Sequence, residues 1–336
     1  FLGHSYMNLS KKELPLVILT GHRKSGTSLF HRLFDGVNSI NLYPTDLTVL
    51  YAYFSCFTAK KDVSNKELKE RLIYVVKNSM EYSVKQGLDL TSKNNFLNVF
   101  ESEIQKIDIR SKSDVIYAIC NSWLKSKEVT FEASPFVVKE TSQSVFFEDY
   151  IKEFPQLKMI SLIRDPRDNY AAISAGVDQY YSKFGENDLK ALSSHINRAR
   201  MDLISAKINQ ENYPDSFMAI RFEDLIRDTK TTMKNVSNFL NIDFEESMLS
   251  PDISGKSYKG NSFEGISFSG ISNQNIGKWK TRITIESAKV IEYWMVDVMD
   301  YWNYDLEFSQ ICSQAEFSKF YEKYNCEYFY HDSFSK

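Results

Sequence analysis

One run of eight residues, Gly21-His22-Arg23-Lys24-Ser25-Gly26-Thr27-Ser28, has the make-up of a loop that cradles a phosphate. Such a loop aims several backbone N–H groups and the start of a helix at one anion. Small residues let the backbone come close. The run is nearly the G-x-x-x-x-G-K-[ST] pattern, but Thr27 stands where a nucleoside-triphosphate enzyme needs its lysine. The lysine here, Lys24, lies two residues ahead of the second glycine. A second cationic point is Arg164, in KMISLIRDPRD. Its planar guanidinium is suited to paired hydrogen bonds with a phosphate.

Both points follow segments that read as buried strands. Leu14 to Thr20 (LPLVILT) and Lys158 to Ile163 (KMISLI) are short apolar runs, the pattern of strands covered on both faces of a parallel sheet. After Ser28, the residues Leu29, Leu33, Phe34 and Val37 recur at helical spacing, which makes strand, loop and helix the first half of a βαβ unit. Phe136 to Val138 reads as the second strand, followed by a helix through Tyr150 and Ile151, and Phe217 to Arg221 as the strand after KMISLI. Asp165 suits an N-cap and Pro166 the first turn of the next helix. Further helices are expected over Asp188 to Asn209, through Phe239-Leu240, and over Ile285 to Met299. From Asp46 to Lys127 the pattern is mostly helical, with stripes at Leu68, Leu72, Val75, Val76, Met80 and at Val115, Ile116, Ile119, Trp123. The expectation is an α/β fold: three layers, α/β/α, around a mainly parallel sheet. It comprises one domain over residues 1–336, with a core at about 14–304, a helical insertion at about 47–130 that would line a pocket, and an extension at about 305–336. In open α/β sheets ligands bind at the carboxyl ends of the strands, where Arg164 falls.

Composition narrows the classes. The 336 residues are 43% hydrophobic and 25% charged with net charge −3, so no global positive charge draws nucleic acid or an anionic membrane. Any phosphate site must be a local concentration of charge. Cys56, Cys120, Cys312 and Cys326 are widely spaced, without zinc-ligand spacing, and read as reduced thiols; no metal is expected. No apolar run approaches the ~20 residues that span a bilayer. The chain reads as soluble and cytoplasmic, although its opening on Phe1 leaves room for an anchor or signal ahead of it.

GHRKSGTSLFHRL resembles the 5′-phosphosulfate-binding loop of the sulfotransferases that use 3′-phosphoadenosine 5′-phosphosulfate (PAPS). The resemblance extends over about residues 14 to 304. It implies a P-loop-like fold and transfer of a sulfuryl group from PAPS to a hydroxyl or amine of a small-molecule, carbohydrate or peptide acceptor. Lys24 matches the catalytic lysine, and Ser25, Gly26, Thr27 and Ser28 match the residues on the 5′-phosphate. KMISLIRDPRDNYAAIS resembles the 3′-phosphate motif, which gives Arg164 that phosphate. The family usually has a serine eight residues after this arginine. Here the position is Ala172, and Ser174 lies about 200° further round the helix. AIRFEDLIRD and NIGKWKTRI resemble two later segments, with Phe222 in place of a tyrosine and Lys278 matching a nucleotide-contacting lysine. Trp279 reads as core.

A base must take the acceptor's proton, and the family places a histidine or acidic residue after the first helix. INLYPTDLTVL occupies that place with Asp46 as its one carboxylate. Asp46 can equally cap a following helix. Lys139, followed by Glu140 and Thr141, departs from the family's order and is set aside; His195 reads as a solvated helix residue. Two rival functions are a P-loop kinase-like nucleotide enzyme and an inactive nucleotide-binding module.

Overall fold

In the computed structural model, Leu16–Thr20 (β1), Asn41–Asp46 (β2), Phe136–Lys139 (β3), Lys158–Ile163 (β4) and Phe217–Arg221 (β5) form one parallel sheet in the order β2-β3-β1-β4-β5. The structure describes residues 10–48, 50, 63–127, 134–178, 182, 188–253, 255–258, 260, 263, 267 and 270–308.

Successive side chains along a strand point to opposite faces, and here each face has its own core. Leu16 and Ile18 of β1, Phe136 and Val138 of β3, and Met159 and Ile163 of β4 join one apolar cluster. Val17 and Leu19, Val137, and Ile160 and Leu162 join the other. The apolar runs are continuous because both faces are covered.

The first cluster packs under Asn65–Gln86 (α2), Leu90–Lys106 (α3), Lys112–Ser126 (α4), Phe147–Glu153 (α5), Pro166–Ser174 (α6), Asp188–Asn212 (α7) and Ile285–Tyr301 (α11). The second packs under Thr27–Arg32 (α1), Phe222–Arg227 (α8) and Thr229–Leu240 (α9). A short helix, Trp279–Arg282 (α10), lies against α6, and Asp252–Ile253 (β6) pairs with Lys256–Ser257 (β7) as a small antiparallel ribbon. The expected helical stripes face inward: Leu72, Val76 and Met80 are buried on α2, and Val115, Ile116, Ile119 and Trp123 on α4.

The strand β2 is absent from the sequence reading, which counted Phe136–Val138 as the second strand. β2 is an edge strand containing Pro44, and its register against β3 shifts between Leu42 and Asp46. Proline is confined to edges because it cannot donate to a ladder, so neither apolar content nor alternation marks the segment.

β1 and β4 are neighbours, yet α1, which follows β1, and α6, which follows β4, cover opposite faces. That reversal opens a crevice at the carboxyl ends of these two strands. Cys120 is a buried free thiol; Cys56, Cys312 and Cys326 lie outside the described residues. Among the described residues, no helix is long and apolar enough to cross a membrane.

Candidate active site

The loop after β1 turns on two glycines. Gly26 caps α1 with φ 100°, and a Cβ there would stand 2.5 Å from the Phe222 ring. At Gly21 a Cβ would meet the Leu162 carbonyl oxygen at 2.4 Å. Lys24 also takes a positive φ of 64°, a left-handed conformation that costs a lysine of order 1–3 kcal/mol and is held by its surroundings.

Those surroundings are cationic. Lys24 lines a cavity of about 920 Å³ together with Arg164 and Lys139. Burial, followed by the charges of Lys139 and Arg164, pulls its pKa down to about 8. Its Nζ lies 3.6 Å from the centre of the Phe263 ring. Gly26, Thr27 and Ser28 line the same cavity. Ser25 does not: its hydroxyl donates to the His22 carbonyl at 2.7 Å, which braces the loop from within.

Arg164 is buried at the end of β4. Its two terminal nitrogens donate to the carbonyls of Lys24 (2.8 Å) and Asn275 (2.9 Å), and its guanidinium lies over the Phe222 ring at 4.7 Å. Phe222 thus fills the space between Gly26 and Arg164. Asp165 does not pair with Arg164. It caps α6 by accepting from the Arg167 amide at 2.9 Å, and holds the Arg167 side chain at 2.7 Å. Asp168 accepts from the amides of Gly277 (2.6 Å) and Trp279 (2.8 Å), which fastens the segment before α10 onto α6. Ala172 lines the cavity. Trp279 is core, packed with Ala171 and Ala288. Lys278 stands at the N-cap of α10 and is not among the residues lining the cavity.

The residue set aside in the sequence occupies the centre. Lys139, 2% exposed at the end of β3, donates to Ser28 Oγ at 3.1 Å and to Asp46 Oδ1 at 2.6 Å. It joins the phosphate-type loop to the candidate base. The signal available in sequence was a lysine closing an apolar strand, FVVK, at the sheet's carboxyl edge. Asp46 is the last residue of β2 and accepts from Lys139; the segment it would cap, from Val49 onward, lies almost wholly outside the described residues. Glu140, also buried, accepts from the Thr141 amide at 2.7 Å on one oxygen, and among the described residues its other oxygen has no hydrogen-bond partner. Burial, then the Asp46 charge, raises its pKa to about 8.

The three histidines nearby are poor bases. His31, which lines the cavity, is buried with Nε2 3.0 Å from the Tyr43 carbonyl oxygen, and burial lowers its pKa well below the ordinary value. His195 is not solvated as expected: α7 turns it inward against α6, where it is fully buried with Nε2 2.9 Å from the Pro166 carbonyl oxygen, and burial lowers its pKa to about 3. His22 lies 5.4 Å from it, ring to ring, and burial again favours the neutral form.

The far wall of the cavity is built from α2 and β2. Val75, Asn78, Ser79, Tyr82 and Gln86 form one stripe of α2, opposite Thr45 and Asp46. Helix α2 therefore lines the cavity beside the candidate base. Among the described residues, no group of three His, Cys, Asp or Glu side chains is placed to hold a metal ion.

A family model described as the sulfotransferase family matches residues 15–246. No curated protein matches the chain by sequence. Among solved structures it is similar to a sulfotransferase domain from the curacin biosynthetic pathway, at 18% identity, with 87% of this chain and 98% of that one covered and a TM-score of 0.55. It is also similar to the sulfotransferase domain of the Synechococcus PCC 7002 olefin synthase, at 17% identity, with 90% and 100% covered and a TM-score of 0.55. At these identities the likeness is one of fold.

Proposed function

Since the chain belongs to the sulfotransferase family, we propose that it transfers a sulfuryl group from PAPS to a hydroxyl or amine acceptor by in-line displacement. The observation that carries this reading is the convergence of Lys24, Lys139 and Arg164 on one cavity at the sheet's switch point, close enough to hold Lys24 at about 8. Positive charge gathered in this way favours a polyanion. The close seating of the loop supports the reading, because at Gly21 and Gly26 any side chain would collide with Leu162 or Phe222.

When bound, PAPS supplies the sulfuryl group and a stable leaving group, adenosine 3′,5′-bisphosphate. The residues of this chain divide the remaining work. The backbone of Ser25 to Ser28 and the hydroxyls of Thr27 and Ser28 would hold the 5′-phosphate, and Arg164 the nucleotide's other end. Displacement forms a bond from the acceptor oxygen to sulfur and breaks the bond from sulfur to the bridging oxygen, whose electron pair stays with the 5′-phosphate. Lys24 neutralises that charge from a fixed position, which is the usual source of large electrostatic rate effects. Asp46 takes the acceptor's proton. Lys139 holds the Asp46 carboxylate beside Ser28, so base and phosphate loop keep one spacing. The stripe of α2 forms the acceptor's wall.

A thermal-shift comparison tests the reading. A ligand at a hundred times its dissociation constant adds about 2.7 kcal/mol to stability. Adenosine 3′,5′-bisphosphate is expected to raise the melting temperature clearly and ATP with Mg²⁺ far less. Equal stabilisation by ATP and Mg²⁺ would move the protein to the kinase-like reading.

A further inference from the structure

Within the proposed donor site, the 3′-phosphate lacks an evident second partner. Arg164 brings charge, but both its terminal nitrogens already donate to backbone carbonyls, of Lys24 and Asn275. The helix position facing the site carries Ala172, which has no donor. A phosphate dianion buried beside one partly committed guanidinium would be poorly compensated.

The segment from Asn275 to Arg282 encloses this place. Asn275 is tied to Arg164, and the amides of Gly277 and Trp279 are tied to Asp168. Asp168, Ala172 and Ala175 are spaced four and three residues apart, so they share one face of α6. The clamp at Asp168 therefore lays α10 along the face that presents Ala172 and Ala175 to the cavity. Trp279 anchors α10 from below, against Ala171. Arg282, the last residue of α10, lines the same cavity as Ala172, Ala175 and Asn275.

We infer that Arg282 is the second ligand of the nucleotide's 3′-phosphate, taking from α10 the role that α6 cannot fill with alanine. Its planar fork supplies two parallel N–H donors where one serine hydroxyl would supply one. The site then has an arginine from each side, Arg164 from β4 and Arg282 from α10. The inference rests on the PAPS reading.

The test is a pair of nucleotides that differ only in that phosphate. Binding of adenosine 3′,5′-bisphosphate and of adenosine 5′-monophosphate is measured by calorimetry on the wild type, Arg282→Ala, Arg282→Lys, Arg23→Ala and Lys278→Ala, each first checked for an unchanged melting temperature without ligand. The wild type is expected to prefer the bisphosphate strongly. In Arg282→Ala the bisphosphate should weaken by roughly 10–100-fold, the scale of hydrogen bonds to a charged group, and the monophosphate by less than about threefold. Arg282→Lys should recover part of the loss, since it restores charge without the fork. Equal weakening of both nucleotides in Arg282→Ala, or a bisphosphate-selective loss in Arg23→Ala or Lys278→Ala instead, overturns the assignment while leaving the donor reading intact. A wild type with no preference for the bisphosphate removes the donor reading, and this inference with it.

Discussion

The depressed pKa of Lys24 makes nucleotide binding pH-dependent in a direction and range that the structure sets. Without ligand, burial and the charges of Lys139 and Arg164 hold Lys24 at about 8 against an ordinary 10.5. A bound dianion favours the protonated amine, so binding raises this pKa. Below pH 8 the amine is already charged and affinity should be flat. Above it, binding must take up a proton, and affinity should fall about tenfold per pH unit. If the complex returns Lys24 to its ordinary value, the accumulated loss by pH 10.5 is on the order of 300-fold. The ligand's own phosphates titrate near pH 6 and stay dianionic throughout. Calorimetric titration of adenosine 3′,5′-bisphosphate from pH 7 to 10, in buffers of different ionisation enthalpy, reads both affinity and proton uptake. Uptake should climb from near zero towards one proton across pH 8. Glu140 ionises in the same range, so Glu140→Gln should keep the slope and Lys24→Met should abolish it. A flat affinity to pH 9.5, or a slope that survives in Lys24→Met, refutes the electrostatic account of this loop.

Lys24→Ala should lower turnover by ~10²–10³-fold, the scale for one preorganised charge-stabilising donor; a change confined to the KM for PAPS would make Lys24 an anchor instead. Asp46→Asn should cut turnover by about 10²-fold or more with nucleotide affinity nearly unchanged, and a variant that keeps most of its turnover at saturating acceptor leaves Asp46 outside the mechanism. Glu140 is raised to about 8 by burial and Asp46, from an ordinary 4.5. The unfolded chain therefore binds fewer protons than the folded one between these values, and stability should fall as pH rises from about 4.5 to 8. Glu140→Gln should flatten that fall in denaturant titrations at pH 5, 6.5 and 8; an unaltered profile contradicts the burial of an ionisable Glu140.

The layers were legible because both faces of the sheet are covered. Four strands are continuous apolar runs and the helices around them carry stripes at helical spacing, so pattern alone placed β1, β3, β4 and β5 and most of the helices. β2 was not legible, since an edge strand with Pro44 and a register shift has neither signal. The loop Gly21 to Ser28 could be read because its glycines stand where the backbone comes too close to the Leu162 carbonyl and the Phe222 ring for any side chain. The inward turn of Ser25 could not, because it depends on one hydroxyl reaching the His22 carbonyl. Lys139 was set aside and Arg282 missed for a shared reason: each matters through what stands across from it in space, Asp46 and Ser28 for the first and the α6 face for the second. His195 shows the converse, a polar residue on a long helix that reads as solvated until the helix packed over it is known.

Group transfer itself is the most direct measurement. The protein is incubated with PAPS carrying ³⁵S in its sulfuryl group, a panel of hydroxyl and amine acceptors, and EDTA, and the products are separated and counted. The account predicts label on an acceptor, one adenosine 3′,5′-bisphosphate released per label transferred, and loss of both in Lys24→Ala. Label that stays on PAPS with every acceptor class while γ-³²P moves from ATP under Mg²⁺, or transfer that ceases in EDTA and returns with Mg²⁺, would contradict it.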